Sequence, residues 1–157
     1  MPKKNSGGKA TAADARIVMK LYDMRREAEM RKARHFFASE FNPQTLDDVL
    51  KVVGAYGSQH NAWLRQVVGY WENAASLVLR GAVHPGLFMD WNGELIFTFA
   101  KLKPFLPELR KRFNAPEMMA QMEALLNSTA ENRKKLQMTE QRMVQWAAER
   151  ARAATGR

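Results

Sequence analysis

SQHNAWLRQVVGYWENAASLVLRG, residues 58–81, is the stretch that decides the fold. Trp63, Leu64, Val67, Val68, Trp71, Ala75, Val78 and Leu79 recur at helical spacing and cover more than half of one cylinder. A helix that apolar belongs at the centre of a bundle, with other helices laid against most of its sides. Ser58 is placed to cap its start, and Gly81 stands at the C′ position where a left-handed residue ends a helix.

Downstream, His84-Pro85-Gly86 reads as a turn, and Leu87, Phe88 and Trp91 as one helical turn before Asn92-Gly93. Glu94 to Lys103 contains LIFTF, which is β-branched and aromatic enough for a strand, but no pairing partner exists and the length favours a helix. Pro104 and Pro107 restart the chain, and Glu108 to Phe113 is amphipathic. Pro116 takes the N1 position of a last helix running to about Ala153. Unbroken, it would be about 55 Å long at 1.5 Å per residue. Ser128 with Glu131 matches a capping box and argues for a break near Asn127.

Upstream, Thr45 caps a short helix with Leu46, Val49, Leu50 and Val53 on one face, stopped by Gly54 to Gly57. Ala12 to Glu40 holds neither Gly nor Pro; Ile17, Leu21, Met24, Ala28, Phe36 and Phe37 predict one amphipathic helix of seven turns, ended by Asn42-Pro43. Residues 1–11, MPKKNSGGKAT, are too small and polar to bury a face and read as a flexible basic tail. The expected organisation is that tail, a single helical domain over 12–153 and a disordered end at 154–157. The fold class is all-α, a five- or six-helix bundle with long first and last helices.

The 157 residues carry a net charge of +9, concentrated at the two ends; residues 36–100 are slightly acidic. Such a field attracts nucleic acid, anionic surfaces or acidic partners without defining a site. No apolar leader follows Lys3 and Lys4, and the most apolar window, Ala62 to Val83, is interrupted by Arg65, Glu72 and Arg80. A membrane span is not expected, and the cytoplasm is the expected location.

Most catalytic and cofactor devices are missing from the pattern. Cysteine is absent, and His35, His60 and His84 fall at no metal-ligand spacing. None of the nine glycines falls in a phosphate-binding loop, and no G-x-S-x-G elbow occurs. No cofactor, metal or catalytic residue is therefore assigned. Glu72 is the one acid of interest, because it lies on the most apolar helix. It reads either as a tuned base or ligand acceptor in a pocket, or as a carboxylate satisfied by an arginine or a backbone group across the bundle; the second is favoured. Phe88, Trp91, Phe97, Phe99 and Phe105 fall within eighteen residues and read as core. Met118, Met119 and Met122 suit core and an adaptable partner surface equally.

Residues from about Val67 to Arg110 resemble a group of uncharacterised bacterial helical proteins. The matching features are Tyr70-Trp71-Glu72, Leu79-Arg80-Gly81, Phe88, Trp91, and Pro104 with Arg110. A membrane helix frequently precedes the domain in that group; here a basic tail stands in its place. The resemblance implies an all-α domain and no known activity.

The leading expectation is a non-enzymatic helical interaction module, self-associating as a homodimer through a long terminal helix. Past Asn127 the heptad pattern has no evident partner within the domain, which nominates Leu136, Met143 and Trp146 as interface residues. One alternative is a nucleic-acid-associated basic protein using Arg31, Lys32, Arg34, Arg133, Lys134 and Lys135, although consecutive basic residues on a helix point around the cylinder. The other is an enzyme or ligand binder with a pocket near Glu72.

Overall fold

A computed structural model describes residues 8–156. Residues 1–7 of the expected tail, and Arg157, lie outside the described residues. Among the described residues the chain is helical, with no strand, so the LIFTF run is helix.

The central helix α4, Gln59–Leu79, begins on the Ser58 cap, whose hydroxyl accepts from the Asn61 amide at 3.1 Å. It ends as Gly81 requires. With Gly81 at φ 74°, the Ala82 amide reaches the Leu77 carbonyl and the Gly81 amide the Val78 carbonyl. α4 buries Leu64, Val67, Trp71, Ala74, Ala75 and Val78.

Against α4 pack α2 (Ala28–His35), α3 (Leu46–Val53), α6 (Gly93–Leu102) and α8 (Ala120–Asn127). α1 (Ala12–Arg26) lies on α2 and on α5 (Pro85–Trp91); α7 (Leu106–Arg112) follows a 3₁₀ turn at Lys103–Phe105; and α9 (Ala130–Thr155) lies on α6 and α8. The α-helices are thus shorter and more numerous than the five or six expected.

The seven-turn first helix is three pieces. Glu27 is extended (φ −56°, ψ 144°), and its carboxylate accepts from the Met30 amide at 2.9 Å, capping α2. No glycine or proline marks this break. It turns α2 onto α4 while α1 serves α5, so the buried stripe is Val18, Leu21, Met30 and Ala33, and Met24 is exposed. Phe36–Glu40 is a π-helical turn closed by the Phe41 amide on the Phe36 carbonyl.

The long last helix is also divided. Pro116 lies in a turn, and Met119 adopts the left-handed conformation (φ 57°), so α8 starts only at Ala120. The second break falls near Asn127 as expected, but its cap is Thr129, which accepts from the Asn132 amide at 3.0 Å; the Ser128 hydroxyl donates to Leu125. The buried Asn132 amide then ties α9 back to the Leu125 carbonyl at 3.0 Å. With 26 residues, α9 is about 39 Å long rather than 55 Å. It runs through Thr155, past the expected end at 153, because no breaker precedes Gly156.

The expected tail meets the fold at its last residues. Thr11 and Asp14 form a capping box for α1, and Asp14 also accepts from the His84 amide at 2.8 Å. The His84 Nδ1 accepts from Leu87, so its Nε2 carries the proton and donates to the Gly8 carbonyl at 2.9 Å.

Leu126 is fully buried in α8, the helix most extensively packed on α4. Leu126→Ala is expected to lower the unfolding free energy by about 2–5 kcal/mol in urea titration. Val144→Ala, at an exposed position, is expected to change it by less than about 0.5 kcal/mol. Equal effects would contradict this packing.

Candidate functional site

On each of the two most apolar helices, one charged side chain bonds to backbone groups of a neighbouring element. Glu72 projects from α4 to the start of α8, where Met119 offers no side-chain cap. Its two carboxylate oxygens accept from the backbone amides of Gln121 (2.7 Å) and Met122 (3.0 Å). A negative charge on two orphan amides also meets the positive end of the helix dipole. Arg110 holds the other side of this turn, donating to the Met118 carbonyl at 2.8 Å and pairing with Glu123 at 2.6 Å. The acid of interest is therefore a cap, satisfied by backbone groups across the bundle.

Lys101, on α6, went unnoticed in the sequence although the argument that singled out Glu72 applies to it equally. It is 6% exposed, and its ammonium donates to the Phe37 and Phe41 carbonyls. The π-turn explains the first. Its wider bond takes the Phe41 amide to Phe36, which leaves the Phe37 carbonyl without the amide an α-helix would give it. The rings of Phe37 and Phe97 flank the ammonium at 4.9 and 4.8 Å. No carboxylate pairs with Lys101 among the described residues. Burial pushes it down to about 8, and the Arg150 charge acts in the same direction.

A third cluster joins α1, α2 and α6. The Glu94 carboxylate takes a forked contact from Arg34 (2.6–3.0 Å) and lies 3.8 Å from Arg25, whose guanidinium stacks over Tyr22 and Trp71. The Tyr70 hydroxyl donates to the Leu21 carbonyl at 2.6 Å, and burial pushes this phenol up to about 12.

The residues nominated for an interface do not share one surface. Leu136 is 5% exposed and belongs to the chain's own core, so this part of the heptad does have intradomain partners, α9 being packed on α6 and α8. Met143 is half-buried against the core, and Trp146 is 44% exposed with its ring 6.4 Å from Phe97. Met138 (42% exposed) and Val144 (71%) are large apolar side chains that the heptad did not nominate. Because α9 lies across α6, a cleft opens on each flank. One, of about 590 Å³, lies among Ile96, Phe97, Met138 and Trp146, with Lys135 and Arg142 at its edge. The other, of about 300 Å³, lies among Lys101, Phe105, Met143, Val144 and Arg150.

The six basic residues nominated for nucleic acid are dispersed. Arg34 is taken by Glu94, Lys32 by Glu29, Lys135 by Glu131, and Arg133 by the Asn127 carbonyl. Arg31 and Lys134 alone of the six make no ion pair or side-chain hydrogen bond among the described residues. Of the aromatic run, Phe88 and Phe99 are buried, Phe97 and Phe105 half-buried, and Trp91 exposed, its ring edge-on to Tyr22. Met119 and Met122 are buried in the core. No group of three or more histidine and acidic side chains is arranged to hold a metal ion, and no helix is long and apolar enough to cross a membrane, among the described residues.

These features define an all-helical domain built on a central apolar helix, with a last helix strapped over α6. Residues 10–129 match the family described as a domain of unknown function, DUF4760, and the chain belongs to that family. The matched span ends on Thr129, the cap of α9, so the strap lies beyond it. No curated protein and no solved structure matches the chain.

Lys101 makes a pH prediction. The folded chain releases this proton near pH 8, whereas the unfolded chain holds it to the ordinary value of 10.5. The unfolded state then binds more protons, so unfolding free energy rises with pH between about 8 and 10. Above that window Tyr70 acts oppositely, since its folded-state value of about 12 exceeds the ordinary 10.0. Urea midpoints measured from pH 7 to 10 are expected to rise in the native chain and to stay flat in Lys101→Met. A flat native profile, or the same rise in the variant, would contradict the burial.

Proposed function

We propose that the chain is a non-enzymatic helical docking module, and that its working surface is the larger cleft between α6 and α9. The observation that carries this reading is an apolar floor of Ile96 and Phe97 with Trp146 and Met138 left partly in water beside it. Apolar anchors of this kind are what a groove offers to the stripe of an amphipathic helix. Trp146 and Met138 are already more than half covered, so covering the rest contributes roughly 1 kcal/mol each.

The occupant that fits is an acidic amphipathic helix of a partner protein. The rim carries Arg142, which makes no ion pair among the described residues; Lys135 beside it is paired with Glu131, and Glu94 at the other edge is neutralised by Arg34. The whole chain is +9, so an acidic partner is drawn in and a basic one repelled. A second copy is the less suited occupant: a two-fold pair using this face opposes like charges, and Leu136 has no surface to add.

The probe is a labelled peptide of about 18 residues, five helical turns, with leucines on one stripe and glutamates elsewhere. A second peptide replaces every glutamate by lysine. In fluorescence anisotropy the acidic peptide is expected to bind at least about tenfold more tightly, with an affinity that falls as salt rises. Trp146→Ala and Arg142→Glu are each expected to weaken it at least about tenfold. Equal binding of both peptides, or an acidic peptide indifferent to both variants, would overturn the reading. A concentration-dependent dimer mass in light scattering, lost in Trp146→Ala, would overturn the partner helix in favour of a second copy.

A further inference from the structure

We propose that the smaller cleft, on the other flank of α9, binds a carboxylate carried on a short aliphatic body. This goes beyond the docking reading, uses different residues and stands without it.

Two cationic residues line the cleft. Lys101 lines it, nine-tenths buried, and its ammonium has three N–H groups, of which two are given to the Phe37 and Phe41 carbonyls. A buried ammonium with carbonyl partners and no carboxylate keeps its full charge uncompensated. Arg150 supplies a second cation, with no ion pair among the described residues and a fork suited to a carboxylate. The polar side chains at the mouth contribute little. The Asn42 amide is committed to Ser39, and the Gln44 amide to the Asn42 and Pro43 carbonyls.

The remaining charges set the sign of the ligand. Glu140 also lines the cleft, held by Lys103 at 2.6 Å. With that pair neutral overall, Lys101 and Arg150 leave the cleft doubly positive, which favours an anionic ligand over a neutral or cationic one. The walls set the rest of the ligand. Phe105, Met143 and Val144 are apolar, and at about 300 Å³ the space is at the small end for ligand clefts. An acyl chain of medium length fits that description. A ligand carboxylate would also supply the counter-ion that Lys101 lacks, so burial of the ammonium, which opposes its charged form, favours binding of an anion.

Octanoate, kept below its micellar concentration, is the probe, with octanol and octylamine as uncharged and oppositely charged counterparts. Isothermal titration is expected to give octanoate an affinity at least about tenfold above either. Arg150→Gln, at an exposed position where folding is not at risk, is expected to weaken octanoate at least about fivefold and to leave octanol unchanged. Lys101→Met is expected to remove the preference for the acid altogether. Arg142→Glu, in the other cleft, leaves octanoate binding intact, so failure of the docking reading and failure of this one are separable. Absence of binding, equal affinity for octanoate and octanol, or an Arg150→Gln variant that binds octanoate like the native chain would overturn the proposal.

Discussion

The structure depends on covering α4. A helix of 21 residues with Leu64, Val67, Trp71, Ala74, Ala75 and Val78 buried cannot leave a broad face in water, and the other helices are cut to the lengths that cover it. Covering it from several directions requires sharp corners between short helices. Each corner leaves helix-end amides and carbonyls without intrahelical partners. The charged residues on apolar helices answer that need. Glu72 takes the bare amides at the start of α8, and Lys101 takes the bare carbonyls of Phe37 and Phe41 at the end of the π-turn. One anion lies at a helix start and one cation at a helix end, each in the sense the helix dipole favours.

α6 carries the second half of the problem. Leu95, Ile96, Thr98, Phe99, Ala100, Lys101 and Leu102 are all buried, so this helix too is covered nearly all round. α4 and α8 cover part of it, and α9 covers more. A single straight helix cannot cover a helix lying across it completely, and the two clefts are what remains at the crossing. Both candidate sites therefore follow from the same geometry. They differ in content: one is apolar with Arg142 at its rim, and the other has the buried Lys101 in its wall.

Much of this was legible in the residues. The 58–81 periodicity, the Ser58 cap and Gly81 defined α4 to within a residue, and Thr45 marked α3. The break at Glu27 was not legible, because glutamate is an uncommon cap and neither glycine nor proline stands there. Met119 hid the start of α8 in the same way, since a left-handed methionine has no sequence signature. Leu136 was assigned to an outer seam because a heptad tells which residues share a face and not what covers that face. The covering surface was in fact written in α6, whose LIFTF run is too apolar to be served by α4 alone. Lys101 was legible by the reasoning applied to Glu72. What the sequence could not supply was the π-turn, and with it the carbonyls that the ammonium meets.

α9 starts afresh at the Thr129 cap and lies back over α6 of its own chain, which creates both clefts and leaves Trp146 half-covered beside Phe97. Nuclear Overhauser contacts between the Trp146 indole and the Phe97 ring, measured on a dilute sample of monomeric mass, test this packing most directly. Those contacts are expected, with further ones from Met138 to Ile96 and Phe97. Their absence, together with uninterrupted helical amide contacts from residue 120 through 140, would mean a continuous helix that leaves the domain, and neither cleft would exist.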